Sequence, residues 1–106
     1  MNIQKLMKEA QKAQQKMQEA QQKLAGMSVE GSAGGGMVVA TANGEGTVTA
    51  VKIDPSVIDP EDADMLEDLV TAAVADAQRK AKELQESEMG QAMGGMGGLG
   101  GLGGMF

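Results

Sequence analysis

From Asn2 to about Ala25 the apolar residues return every seven positions: Ile3, Ala10, Met17 and Leu24 make one row, and Leu6, Ala13, Ala20 and Met27 a second. Two such rows are the a and d positions of a helix that packs along a seam. Between them stand Gln, Lys, Glu, Ala and Met, all good helix formers, and no Gly, Pro or β-branched residue follows Ile3 before Gly26. The many alanines predict a close, weakly hydrophobic seam. Gly26 is the expected stop.

Beyond Ser28 the pattern shortens to that of strands. Ser28–Ala33 is a short strand-like run, set off from the next by Gly34, Gly35 and Gly36. Then come Met37–Ala42 and Thr47–Ile53, joined through Asn43-Gly44, a pair that signals a tight hairpin. A two-residue turn there predicts Val39 opposite Val48 and Met37 opposite Ala50. The other face would carry Val38, Ala40, Val51 and Ile53. Both faces are partly apolar, so one is expected to pack on helices, and the other, or the sheet edge, to meet a second chain.

Asp54-Pro55 and Asp59-Pro60 each place a capping acid before a proline, a helix-start signal. The first is expected to make only a short turn. The second is expected to open a helix from about Glu61 to Glu88, whose apolar stripe is Leu66, Leu69, Val70, Ala73, Ala77, Ala81 and Leu84. Early acids Glu61, Asp62 and Asp64 suit the positive end of its dipole. Residues 1–88 therefore read as a single domain, and residues 89–106, nearly all Gly, Met and Leu, as a disordered tail.

Composition narrows the chemistry. The chain has 106 residues, no Cys, no His, no Trp and no Tyr, and its one aromatic residue is Phe106. Without Cys or His the usual nucleophile–base pairs and soft-metal sites lack their parts. The acidic run Asp59–Asp64 lacks the spacing of a calcium loop. The triple glycine is not followed by the Gly-Lys-Ser/Thr of a phosphate loop, and reads as a bulge or bend. No enzyme activity, cofactor, metal or small-molecule substrate is expected. No apolar run approaches the roughly 20 residues that span a bilayer, and the N-terminus carries no secretory signal pattern, so no membrane partner is expected and a cytoplasmic location is. About 88 residues are left to form a core, a size at which association into a homodimer is a usual source of stability.

The formal net charge of −6 argues against nucleic acid until its distribution is read. Residues 1–27 carry five Lys against Glu9 and Glu19, a surplus of three positive charges, whereas residues 61–88 carry nine acids against Arg79, Lys80 and Lys82. At about 100° per residue, Lys5, Lys8, Lys12, Lys16 and Lys23 fall within an arc of roughly 80°, about 120° from the apolar seam. Gln4, Gln11, Gln15, Gln18 and Gln22 fill much of the third face. Lys5 to Lys16 would span about 16 Å, a useful length for tracking phosphates. A solvated helix face is the other reading of the same stripe. Arg79, Lys80 and Lys82 do not share a face, and Lys80 borders the apolar stripe. The lack of aromatics disfavours single-strand or RNA-loop recognition, which relies on base stacking.

The run Gly34 to Gly46 (Gly-Gly-Gly-Met-Val-Val-Ala-Thr-Ala-Asn-Gly-Glu-Gly), then Val51-Lys-Ile-Asp-Pro55, then Met65 to Lys80, together with the opening Met-Asn-Ile-Gln-Lys-Leu-Met-Lys-Glu-Ala-Gln, resembles the YbaB/EbfC family of bacterial nucleoid-associated proteins. The resemblance covers about residues 1–88. It implies an α+β fold, a three-stranded antiparallel sheet flanked by a long N-terminal and a long C-terminal helix. It also implies a homodimer built through the sheets, with helices projecting like tweezers. It implies binding of double-stranded DNA largely without sequence preference, a change in DNA conformation, and a part in nucleoid organisation and gene expression. Lys5, Lys8, Lys12, Lys16, Lys23, Arg79, Lys80 and Lys82 are then the candidate DNA contacts. The alternative is a dimeric adaptor whose Ala-rich seam and Gln face grip another protein, with weak or no DNA binding.

Overall fold

The computed structural model describes residues 2–94. Helix α1 spans Ile3–Ala25, strands β1, β2 and β3 span Ser28–Ala33, Val38–Asn43 and Val48–Ile53, and helix α2 spans Ala63–Gly94. A single turn of 3-10 helix, Pro55–Val57, lies between β3 and α2. The strands form one antiparallel sheet in the order β1-β2-β3.

Local chemistry sets the helix ends. The Asn2 side chain accepts from the N–H groups of Gln4 and Lys5 at 3.1 and 3.3 Å, capping α1. Helix α1 stops after Ala25, although Gly26 takes φ −90° and makes no left-handed turn. The Asp54 side chain accepts from Ser56 N–H at 2.9 Å and starts the short turn expected there. The second Asp-Pro pair does not begin α2. Asp59 accepts from Glu61 N–H at 3.0 Å in a separate turn, and Asp62 accepts from Met65 N–H at 3.4 Å, so α2 begins two residues later than the proline suggests. At its other end α2 continues to Gly94, past Glu88, because the run Met89 to Met93 still holds Gln, Ala and Met. The remainder of the tail expected to be disordered lies outside the described residues.

The core is a layer of alanines. Val38, Ala40 and Ala42 on β2 and Ala73 and Ala77 on α2 are fully buried against one another, and Ala81 one turn on is fully buried as well. Around them Leu66, Leu69, Val70 and Val74 close the layer from the helix side, and Val29, Ala33, Ile53 and Val57 from the sheet side. Small side chains let α2 approach closely, and β1 answers with Gly31. A Cβ on Gly31 would overlap the Ala77 amide nitrogen and the Ala73 carbonyl oxygen and lie 2.7 Å from Ala77 Cα.

The hairpin differs from the expected two-residue turn. Val39 pairs with Lys52 and Thr41 with Ala50, with a bulge at Thr41/Ala42. Asn43 N–H donates to Thr47 C=O at 2.9 Å and Gly46 N–H to Asn43 C=O at 3.0 Å, so the loop is Gly44-Glu45-Gly46, with Gly46 at φ +93°. Asn43 Oδ1 adds two acceptor contacts, to the N–H groups of Glu45 and Thr47 at 2.9 and 3.1 Å. Gly44 serves tertiary contact instead of the turn: its N–H donates to Leu24 C=O at 2.9 Å, and a Cβ there would overlap that carbonyl. The loop therefore clamps the C-terminal end of α1 on the sheet.

Candidate nucleic-acid interface

Helix α1 is held at one end only. Ala20 and Leu24 are buried, whereas every residue from Asn2 to Lys12 is exposed. Its C-terminal half runs antiparallel to the C-terminal part of α2. The pairing is marked by an ion pair of 3.1 Å between Lys23 and Glu88, and by a cleft that brings Lys16 and Ala20 beside Gln91 and Ala92. The seam read from the heptads is thus filled at its Leu24 end, while Ile3, Leu6 and Met17 are 69%, 48% and 42% exposed.

One uninterrupted helix carries Lys5, Lys8, Lys12 and Lys16 on a common, solvent-facing side. Among the described residues none of these four has an ion-pair partner. Lys23 extends the stripe but is tied to Glu88. An ammonium outside any ion pair pays little to meet a phosphate, whereas a paired one must first give up its partner.

The other candidate cations sit apart from this stripe. Arg79 bridges Asp76 and Glu83 on its own helix, each at 2.8 Å. Lys80 lies 3.4 Å from Asp76, and its ammonium donates to the Glu30 carbonyl at 3.0 Å. Lys82 is exposed on α2. Asp76 joins these groups to the sheet by accepting from Ser32 N–H at 3.0 Å. The Glu30 carbonyl and Ser32 N–H belong to the outer edge of β1, where among the described residues no strand pairs, so Asp76 and Lys80 close that edge in place of a neighbour. Sequence reading assigned Lys80 to DNA or to the apolar stripe and did not single out Asp76; an i, i+4 acid–lysine pair bordering the buried stripe was the available signal.

The Arg79 guanidinium and the Ser32 N–H hold the Asp76 carboxyl down to about 2 from an ordinary value of 3.8. A carboxylate with a depressed folded-state pKa contributes stability above its unfolded value and loses it as pH falls towards the folded one. Asp76→Asn is therefore expected to lower the melting temperature at neutral pH, with the gap to wild type narrowing as pH drops from about 4 towards about 2. Melts followed by circular dichroism check this, and a gap independent of pH would remove the ionic role.

Charge is also separated along the long axis of α2. The dense acids Glu61 to Asp68 lie at its N-terminal end, about 30 Å by helical rise from Glu88, where α1 crosses. That separation is several Debye lengths at physiological salt, so those acids are largely screened from a phosphate beside Lys5 to Lys16. The net charge of −6 thus coexists with a locally basic arm.

Among the described residues no helix is long and apolar enough to cross a membrane, and no His/Cys/Asp/Glu cluster is arranged to hold a metal.

Residues 1–96 match the model of the YbaB/EbfC DNA-binding family. A protein of Saccharopolyspora erythraea named as nucleoid-associated is 53% identical over 93 residues, which cover 88% of this chain and 80% of that one. A nucleoid-associated protein of Desulfotalea psychrophila is 49% identical over 95 residues, covering 90% of each chain. The crystal structure of an uncharacterized protein of Helicobacter pylori superposes with a TM-score of 0.73 at 22% identity, over 82% of this chain and 91% of that one, and shares the fold.

Proposed function

The chain belongs to the YbaB/EbfC DNA-binding family, and from that premise we propose that it binds double-stranded DNA in the bacterial nucleoid as a homodimer, chiefly through the Lys5, Lys8, Lys12 and Lys16 face of α1. The observation that carries this reading is the unpaired lysine stripe on an arm projecting beyond the core. Regularly spaced ammonium groups match phosphate oxygens and carry no base information, so binding is largely indifferent to sequence. Gln4, Gln11 and Gln15 flank the stripe and can donate to phosphate or to base edges. Two arms, one from each protomer, would engage separate stretches of backbone and so constrain the path of the DNA. A part in nucleoid organisation and gene regulation follows from such constraint.

Lys23, Arg79 and Lys80 hold a secondary place because each is already engaged within the fold, and Lys82 adds charge from α2. Arg79→Gln is expected to change DNA affinity by less than about threefold, as for a cation that contributes only to the general field. A loss matching that of an α1 lysine would move the interface onto α2.

Fluorescence anisotropy of the protein with a labelled duplex of about 30 base pairs, titrated between roughly 50 and 200 mM salt, tests the reading. Binding that collapses as salt rises is expected. Absence of binding at the lowest salt would leave the lysine stripe a solvated face and favour the protein adaptor.

A further inference from the structure

The chain contains one Asn-Gly step, Asn43-Gly44, where β2 passes into the loop before β3. Such a step is chemically labile. The amide nitrogen of the second residue attacks Cγ of the asparagine, a C–N bond forms, and the side-chain amide leaves as ammonia. The product is a five-membered succinimide. Water then opens the ring at either carbonyl, giving aspartate or isoaspartate, and is the only co-reactant. Glycine makes the attack easiest because no side chain shields its nitrogen.

Two sets of hydrogen bonds act on this step in opposite directions. The loop itself supplies the first. Asn43 Oδ1 accepts from the N–H groups of Glu45 and Thr47 at 2.9 and 3.1 Å. Attack at Cγ drives negative charge onto Oδ1, and these donors already point at it. The second set holds the attacking nitrogen. Gly44 N–H donates to the carbonyls of Leu24 and Met27 at 2.9 and 3.0 Å. To attack, that nitrogen must lose its proton, which costs both bonds and leaves negative charge facing two carbonyl oxygens. Both acceptors come from elsewhere in the chain: Leu24 is buried in the last turn of α1, and Met27 lies in its link to β1. The missing Cβ that lets the Leu24 carbonyl approach Gly44 is also what makes the step labile.

We propose that Asn43-Gly44 is a latent deamidation site gated by the docking of α1. While Leu24 is seated, the Gly44 nitrogen is held and the step is closed. When the last turn of α1 lifts away, its acceptors leave with it, whereas the donors on Oδ1 belong to the loop and stay. Isoaspartate then routes the main chain through the former side chain and adds a methylene to it. The old Asn43 carbonyl, which accepts from Gly46 N–H at 3.0 Å, becomes a free carboxylate branch. Gly44 can no longer meet Leu24 as before, so detachment of α1 is recorded irreversibly. The inference does not depend on the DNA reading, and its test contains no DNA.

The full-length protein, Leu24→Ala and Glu88→Gln are incubated in the same neutral buffer, and wild type in denaturant supplies the rate of the free chain. Mass spectrometry of the digested protein follows conversion of amide to acid at Asn43, and chromatography separates aspartate from isoaspartate. Leu24→Ala is expected to convert at least about thirtyfold faster than folded wild type, the rise in undocked population when a buried leucine side chain is deleted. Glu88→Gln removes the ion pair that pins Lys23 and leaves the core untouched, and is expected to convert about two- to fivefold faster. Amide exchange of β1 and β2 verifies that the sheet persists; should Leu24→Ala lose it, Glu88→Gln decides. Folded wild type converting as fast as the denatured chain overturns the proposal, because Gly44 would then not be held. So does conversion of the variants at the wild-type rate, which would place the protection within the loop itself.

Discussion

Replacing Lys5, Lys8, Lys12 and Lys16 together with Gln is expected to weaken binding to duplex DNA by at least about a hundredfold near 100 mM salt, and by the same factor on unrelated sequences. Each ammonium that neutralises a phosphate releases condensed counterions, so removing four should also flatten the slope of log K against log salt by about 3 to 4 per protomer. The helix should survive, since Gln and Lys have similar helical propensity and none of the four makes a described ion pair. Anisotropy titrations supply both affinity and slope, and circular dichroism confirms the retained helix. Affinity lost with an unchanged slope would mean that the lysines act through the shape of the arm, and unchanged affinity would remove them from the interface. The contrast with Arg79→Gln locates the site, because both changes delete positive charge but only one set projects unpaired from the core.

Gly31→Ala is expected to have the largest effect on stability, although it adds a single methyl group. Its Cβ would overlap main-chain atoms of Ala73 and Ala77 on the buried side of α2, which cannot turn aside as a flexible side chain can. Accommodation requires lifting the helix from the sheet, and overpacking of this kind costs about 3 kcal/mol. In a domain of this size that lowers the melting temperature by about 15 °C. Combining it with Ala77→Gly should restore little, because the overlap is with backbone. Gly35→Ala is the control: nothing lies within 4 Å of its Cβ site, and only its φ of +68° opposes the substitution. It should cost about 1 kcal/mol. Thermal melts in which Gly31→Ala and Gly35→Ala behave alike would show that the helix–sheet contact is more yielding than the alanine layer suggests.

The alanine layer also explains how a protein with 1% aromatic residues and few large buried side chains holds a helix of 32 residues. Close backbone approach at Gly31 and Gly44 replaces bulk with proximity, and edge contacts from Asp76 and Lys80 fasten α2 to β1. The same economy leaves α1 attached through its last turns alone.

Much of this was written in local pattern. The heptad rows and the absence of helix breakers specify α1. The stripe from Leu66 to Ala81 specifies which side of α2 is buried, and the strand-like runs place β1, β2 and β3 within a residue or so. Helix caps at Asn2 and Asp54 are encounters between a side chain and the next few amides, decided by neighbours in sequence. The lysine stripe is legible for the same reason, since a continuous helix converts spacing into a face. Only the tertiary structure decided the rest. The hairpin register depends on whether Gly44 turns the chain or meets Leu24, and that carbonyl arrives from another element. Lys80 looks like Lys5 and Lys8 in sequence, yet its ammonium is occupied by the Glu30 carbonyl on the outer edge of β1, 50 residues away in the chain. Periodicity reports which side of an element is apolar, whereas the partner of a charge depends on what folding brings beside it.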